Sequence, residues 1–162
     1  MQEDFPCRKE GQMICRINPP LGEEEWIFVV VLSCENGKLL FSRKKGKTTW
    51  ETQGGHIEPG ESAGQAARRE LWEESGTVRA TLTPLFSYWA GEENGPGASG
   101  GVFLAEIEER GNLPPAFEME EVCAFSSLPE NLSYPAITPI LFQEAKRRGY
   151  FRKVEGWPPV RK

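Results

Sequence analysis

From Trp26 to Leu32 every position is apolar, and the run, extended to Cys34, reads as a buried strand. Asn36-Gly37 follows, the dipeptide preferred in two-residue type I′ turns, and Leu39 to Arg43 supplies the partner strand of a hairpin. Farther along, Ser62 and Gln65 form the S-x-x-Q pattern of a capping box, and Gly76 stands where a helix C-cap belongs. The intervening segment rich in Ala, Arg, Glu and Leu is therefore expected to be a helix over Ala63 to Glu74. Val78 to Ala90 is mostly strand-like, Val102 to Ile107 reads as a return strand, and Val122 to Phe125 as a short one. The polar, glycine-rich stretch from Gly91 to Gly101 between the two longer strands is expected to be a plain mobile connection, a substrate lid being the alternative. Ile137, Ile140, Leu141 and Ala145 recur at helical spacing, so Pro135 to Arg148 reads as an amphipathic helix with Pro139 near its first turn.

Composition narrows the class. A chain of 162 residues suits one domain, with a core over about residues 12–149 and short extensions at either end. Apolar residues make up only 38%, but nine Phe and five Trp bring large buried area per residue, which is enough for a sizeable core. The run from Trp26 to Leu32 is far short of the roughly 20 residues that cross a bilayer, and MQEDFPCRKEGQ has no apolar signal core. The expectation is a cytoplasmic protein with no membrane partner. Cys7, Cys15, Cys34 and Cys123 form no C-x-x-C pair, which disfavours a zinc knuckle or redox dithiol and favours reduced thiols. A single histidine, His56, excludes a multi-histidine metal site within one chain, and a net charge of −5 argues against duplex nucleic-acid binding.

The chemistry concentrates on the first helix. At about 100° per residue, Glu70, Glu73 and Glu74 share one face within a sector of about 100°. They lie at the C-terminal end, where the helix dipole disfavours anions, and they repel one another at i,i+3 and i,i+4 spacing. Arg69 offsets part of that charge but cannot neutralise three carboxylates. A hard divalent cation with oxygen ligands, Mg²⁺ or Mn²⁺, is the natural complement; a solvated acidic face, or a helix that docks a basic protein, is the plain alternative. Arg43, Lys44, Lys45 and Lys47 make a basic loop that reads either as a solvated turn or as a phosphate-steering element.

The surroundings of the triad weigh against the plain reading. Gly55, five residues, Glu61, seven residues, then Arg69-Glu70-Leu71-Trp72-Glu73-Glu74-Ser75-Gly76 resembles the Nudix box, G-x5-E-x7-R-E-U-x-E-E-x-G-U, with all seven of its invariant positions filled at the right spacing. Thr77 replaces the final aliphatic residue, and Gln53 stands where many members have Pro before Gly-Gly, which leaves the entrance to the loop less rigid. The resemblance extends from Trp26 to Arg148 and implies an α/β fold: a mixed β-sheet sandwiched between helices, with the box as loop-helix-loop.

Carried over residue by residue, the resemblance implies metal binding by Glu70, Glu73 and Glu74, with the Gly54 carbonyl as a further ligand. It implies structural roles for Gly55, Glu61, Arg69 and Gly76. Glu118, just before a returning strand, is the first choice for an additional acidic ligand outside the box, ahead of Glu120 and Glu121. Glu70 is assigned as the base that takes a proton from water, with Glu73 second; crowding of like charges suits a carboxylate to that task. Arg43 is a candidate substrate contact. Tyr88, with Phe86 and Trp89, is a candidate for stacking a base, although aromatics in strands more often belong to the core. His56 is read as structural or solvent-facing. The implied activity is Mg²⁺-dependent hydrolysis of a nucleoside diphosphate linked to X, foremost a nucleoside triphosphate and in particular oxidised dGTP. ADP-ribose or dinucleotide pyrophosphatase activity and a non-catalytic nucleotide-binding module are the alternatives. Dimers are common among such proteins, and Trp157 is a candidate for an interface.

Overall fold

The computed structural model describes residues 13–17, 26–152 and 154. MQEDFPCRKEGQ, with Cys7, and Trp157 lie outside the described residues. Among the described residues seven strands form one sheet: β1 (Met13–Ile17), β2 (Phe28–Glu35), β3 (Lys38–Lys44), β4 (Gln53–His56), β5 (Thr77–Glu92), β6 (Gly97–Arg110) and β7 (Met119–Phe125). Two helices, α1 (Ala63–Ser75) and α2 (Thr138–Arg147), complete it. The sheet order is β1-β5-β6-β2-β3-β7, with β4 also pairing to β2. The β2–β6 pair is parallel and the other pairs are antiparallel, so the sheet is mixed.

The apolar run of β2 has no polar alternation because both faces of the sheet are covered. Val29 and Val31, with Phe103 and Ala105 of β6, pack against Ala63, Ala66, Ala67 and Leu71 of α1. Val30 and Leu32, with Val102 and Leu104, face the other way, toward Ile137 and α2 residues Leu141, Phe142 and Ala145. Period-two alternation along parallel neighbours thus builds two cores from one pair of strands. The expected arrangement of a mixed sheet between helices holds.

Local signals account for most boundaries. Asn36 and Gly37 both take positive φ, 50° and 76°, as a type I′ turn demands, and they close the β2–β3 hairpin. At the start of α1, Ser62 Oγ accepts from the Gln65 N–H at 3.1 Å while Gln65 Oε1 accepts from the Ser62 N–H at 2.8 Å, the reciprocal capping box. At its end Gly76 adopts φ 74° and donates its N–H to the Trp72 carbonyl at 2.9 Å. The second helix begins at Thr138 rather than Pro135, because the preceding turn is closed by the Ile137 and Thr138 N–H groups on the Tyr134 carbonyl.

One expectation is overturned. Gly91 to Gly101 is no long loop: β5 continues to Glu92, a turn carries Asn94 at φ 61°, and β6 resumes at Gly97. The glycines are there for close approach. A side chain on Gly97 would overlap the Trp89 indole, and one on Gly101 would overlap the Trp26 ring. Flat aromatic rings lie across the strands where a Cβ would otherwise stand, so a composition typical of loops serves a sheet.

The capping box yields a simple expectation. Ser62→Ala should lower unfolding stability by about 1 kcal/mol in urea titration without changing the m-value. An unchanged midpoint would show that the start of α1 is held by its packing alone.

Candidate active site

The site forms where β4 and α1 meet. After β4 the chain turns back through Glu58 to Gly60, closed by the Glu61 N–H on the Glu58 carbonyl at 3.0 Å, and then enters α1. Arg69 clamps this turn to the helix. Its Nε and Nη2 grip the Glu61 carboxylate at 2.7 and 3.0 Å, and Nη2 also reaches the His56 carbonyl at 3.1 Å. Two parallel bonds to one carboxylate fix orientation as well as distance. The pairing holds the Glu61 carboxyl below the usual carboxylate range and raises the guanidinium still further above its own.

The remaining edge of that guanidinium faces the acidic cluster. Arg69 Nη1 lies 3.1 Å from Glu70 Oε2 and 3.3 Å from Glu73 Oε2. Glu74 is held differently: its Oε1 accepts the Gly54 N–H at 2.9 Å. Gly55 leaves room for the Glu70 carboxylate, which a Cβ there would displace. Glu70 and Glu74 are only 9% and 7% exposed, unusual for acidic side chains. Burial, reinforced by the neighbouring Glu73, pushes the Glu70 carboxyl up to about 7 against the pull of Arg69. Burial and the nearby Glu70 drive Glu74 well above the usual range.

These groups open onto a cavity of about 450 Å³ lined by residues including Glu70, Glu73, Glu74, Arg69, Glu58, Phe117 and Glu118. The structure therefore brings the box carboxylates and Glu118 together. Glu118 approaches from the segment before β7, with Oε2 3.6 Å from Lys44 Nζ. Its neighbours in sequence do not join it: Glu120 and Glu121 lie 3.4 and 2.9 Å from the Arg43 guanidinium.

Arg43 is not brought to the cavity. Besides those carboxylates it donates to the Lys47 carbonyl at 2.9 Å and stacks over Trp50. Tyr88 requires correction as a base-stacking residue: it is fully buried, part of the core beneath α2, because inward positions of β5 are closed off by that helix. His56 packs its ring on Phe28 at 4.5 Å and also lines the acidic cavity. Phe117 lines the cavity from the segment before β7, a place no local sequence pattern marks, and Lys44 of the basic loop meets Glu118 beside it through the pairing of β3 with β7.

The donor set suits a hard divalent cation. Five carboxylates, Glu58, Glu70, Glu73, Glu74 and Glu118, line one cavity, two of them largely buried, and the one guanidinium among the described residues of that lining is already committed to Glu61. Among the described residues no three acidic, His or Cys side chains yet converge as a closed ligand cage. Arg69 and the Gly54 N–H take up carboxylate oxygens that a cation would share.

A pH dependence follows. The folded state keeps the Glu70 proton to about pH 7, whereas the unfolded chain loses it near 4.5, so between these values the native state binds more protons. Stability of the metal-free protein should therefore fall as pH rises from 4.5 to 7, by about 3 kcal/mol from Glu70, with the raised Glu74 adding a fall of the same sign. Glu70→Gln should flatten this slope in chemical unfolding, and excess Mg²⁺ at pH 8 should restore stability. Stability that climbs over the same range would contradict this assignment.

Comparison with known proteins agrees with this geometry. A family profile described as NUDIX domain matches residues 24–141. A putative 8-oxo-dGTP diphosphatase of Bacillus subtilis (strain 168) is 45% identical over 61 residues, which are 38% of this chain and 40% of that protein. An RNA pyrophosphohydrolase of Klebsiella pneumoniae (strain 342) is 40% identical over 58 residues, 36% of this chain and 33% of the relative. The matched segments thus span well under half the length of these curated relatives. Among solved structures, the Bacillus subtilis pyrophosphohydrolase BsRppH superposes with a TM-score of 0.71 over 86% of this chain and 92% of its own, at 24% identity, a likeness of fold. The box spacing, the two-sided sheet and a family match across most of its length together place this chain in the Nudix family.

Proposed function

We propose that the protein is a divalent-metal-dependent pyrophosphohydrolase that cleaves a nucleoside diphosphate linked to X, foremost a nucleoside triphosphate, into monophosphate and pyrophosphate. The observation that carries this reading is that Glu70, Glu73, Glu74 and Glu118 all line one open cavity. Oxidised dGTP is the favoured substrate, supported by the 45% identity to a putative 8-oxo-dGTP diphosphatase through 61 residues.

Glu70, Glu73, Glu74, Glu118 and the Gly54 carbonyl would hold Mg²⁺ or Mn²⁺. Such an ion, when bound, offsets the charge of phosphate oxygens and makes water a better nucleophile. The chain's own groups do the rest. Glu70, on the lining of the cavity, takes a proton from the attacking water. As the water oxygen bonds to phosphorus, the bridging P–O bond breaks and pyrophosphate leaves. Arg69 keeps Glu70 and Glu73 in place through Nη1 while its other edge anchors the turn on Glu61. Aligned in this way, the carboxylates do not need to reorganise during the reaction.

The test is a product-resolved assay with and without Mg²⁺. Its panel sets oxidised and unmodified nucleoside triphosphates against ADP-ribose, a dinucleoside polyphosphate and a 5′-triphosphorylated oligoribonucleotide. Pyrophosphate and monophosphate from the triphosphates, only with metal, are expected. Glu73→Gln should cut kcat by about 10²–10⁴-fold while leaving the circular dichroism spectrum intact. Full turnover by that variant would remove Glu73 from the chemistry, and a wild type silent on the whole panel would favour a nucleotide-binding module.

A further inference from the structure

A line of buried hydrogen bonds crosses the sheet and ends on the helix that carries the acidic cluster. Ser33 of β2, Gln53 of β4 and Ser42 of β3 are each fully buried. Ser33 Oγ donates to Gln53 Oε1 at 2.6 Å, Gln53 Nε2 donates to Ser42 Oγ at 2.9 Å, and Ser42 Oγ donates to the Glu74 backbone carbonyl at 2.6 Å. Gln53 Nε2 also lies 3.4 Å from the Leu40 carbonyl.

The direction of this line is forced. Each hydroxyl has one proton: that of Ser33 goes to the amide oxygen and that of Ser42 to Glu74, so only a side chain with an acceptor at one end and a donor at the other can stand between them. Glutamine meets that requirement. The receiving carbonyl is also one that needs a partner, because Glu74 lies in the last turn of α1, where no helical N–H remains ahead of it. The line then closes on itself. Gln53 is followed by Gly54, whose N–H donates to Glu74 Oε1 at 2.9 Å. Glu74 is thus held by its backbone through Ser42 and by its side chain through Gly54, with Gln53 connecting the two anchors.

We infer that Gln53 and Ser42 are positioning residues that set the Gly54–Glu74 geometry on which cation binding at the acidic cavity depends. The chain just before Gly54 is thereby restrained through the side chain of Gln53. Neither residue faces the cavity, so their influence passes through Glu74 and Gly54 rather than through contact with substrate. The inference rests on the functional reading above for its consequence in catalysis, but its structural part can be read without any turnover.

Two measurements on the full chain decide it. The first is Mn²⁺ affinity by electron paramagnetic resonance for the wild type, Gln53→Met, Ser42→Ala and the double variant. Each single change should weaken Mn²⁺ binding by about 10-fold, and the double should be no weaker than the worse single, because both break one line. The kcat of each should fall while KM for the nucleotide holds. The second is amide hydrogen exchange at Gly54 in the metal-free protein, which should quicken in both single variants. Ala145→Gly, in α2 on the opposite core and away from Gly54, serves as a control that loses stability but keeps wild-type Mn²⁺ affinity and Gly54 exchange. If Gln53→Met does not fold, Ser42→Ala, which removes only a hydroxyl, decides alone. Wild-type Mn²⁺ affinity or wild-type Gly54 exchange in the folded variants overturns the inference. A wild type that takes up no Mn²⁺ overturns the functional reading instead, and Gly54 exchange then still decides whether the line positions Glu74.

Discussion

Everything in this molecule that bears on chemistry depends on one electrostatic arrangement: like charges crowded at the wrong end of a helix and partly withdrawn from water. Glu70 and Glu74 are nearly as buried as core residues, yet they share their face with Glu73 and a single guanidinium. In an apolar medium such a group strongly disfavours ionisation, and both carboxyls are pushed up accordingly. The arrangement costs stability in the protein alone, and a cation in the cavity would offset that cost. Strain of this kind is common where a site must bind something positive.

The rest of the fold exists, in effect, to hold that arrangement still. The apolar alternation of β2 and β6 gives α1 a complete core of its own, independent of the core under α2. The capping box and Gly76 define where α1 starts and stops. Arg69 then ties the turn after β4 to the helix, and the Gly54 N–H ties β4 to Glu74. Repulsion that would unwind an isolated helix end is borne by packing on one side and by hydrogen bonds on the other.

Much of this was legible from local pattern. The β2–β3 hairpin, both helices and the box were readable because each rests on contacts within a few residues: a type I′ turn, a cap, a helical period. Glu118 was separable from Glu120 and Glu121 only as a preference, since all three are adjacent in the chain; β3–β7 pairing gives the latter two to Arg43 and leaves Glu118 at the cavity. Tyr88 misled because an aromatic residue in a strand looks the same whether it faces a helix or a ligand. The stretch from Gly91 to Gly101 misled because glycines that admit an indole across a strand have the composition of a loop.

The sequence by itself determined the family, the mixed sheet between helices and the three carboxylates on one helical face, because spacing along the chain sets which side chains share a face. Only the tertiary structure decided how far those carboxylates are buried, which acidic residue from beyond the box joins them, and what braces the helix that carries them. Burial depends on what covers a residue from elsewhere, and Ser33, Ser42 and Gln53 meet only when three strands lie side by side. No local pattern distinguishes a serine that caps nothing from one that holds an active-site helix in place.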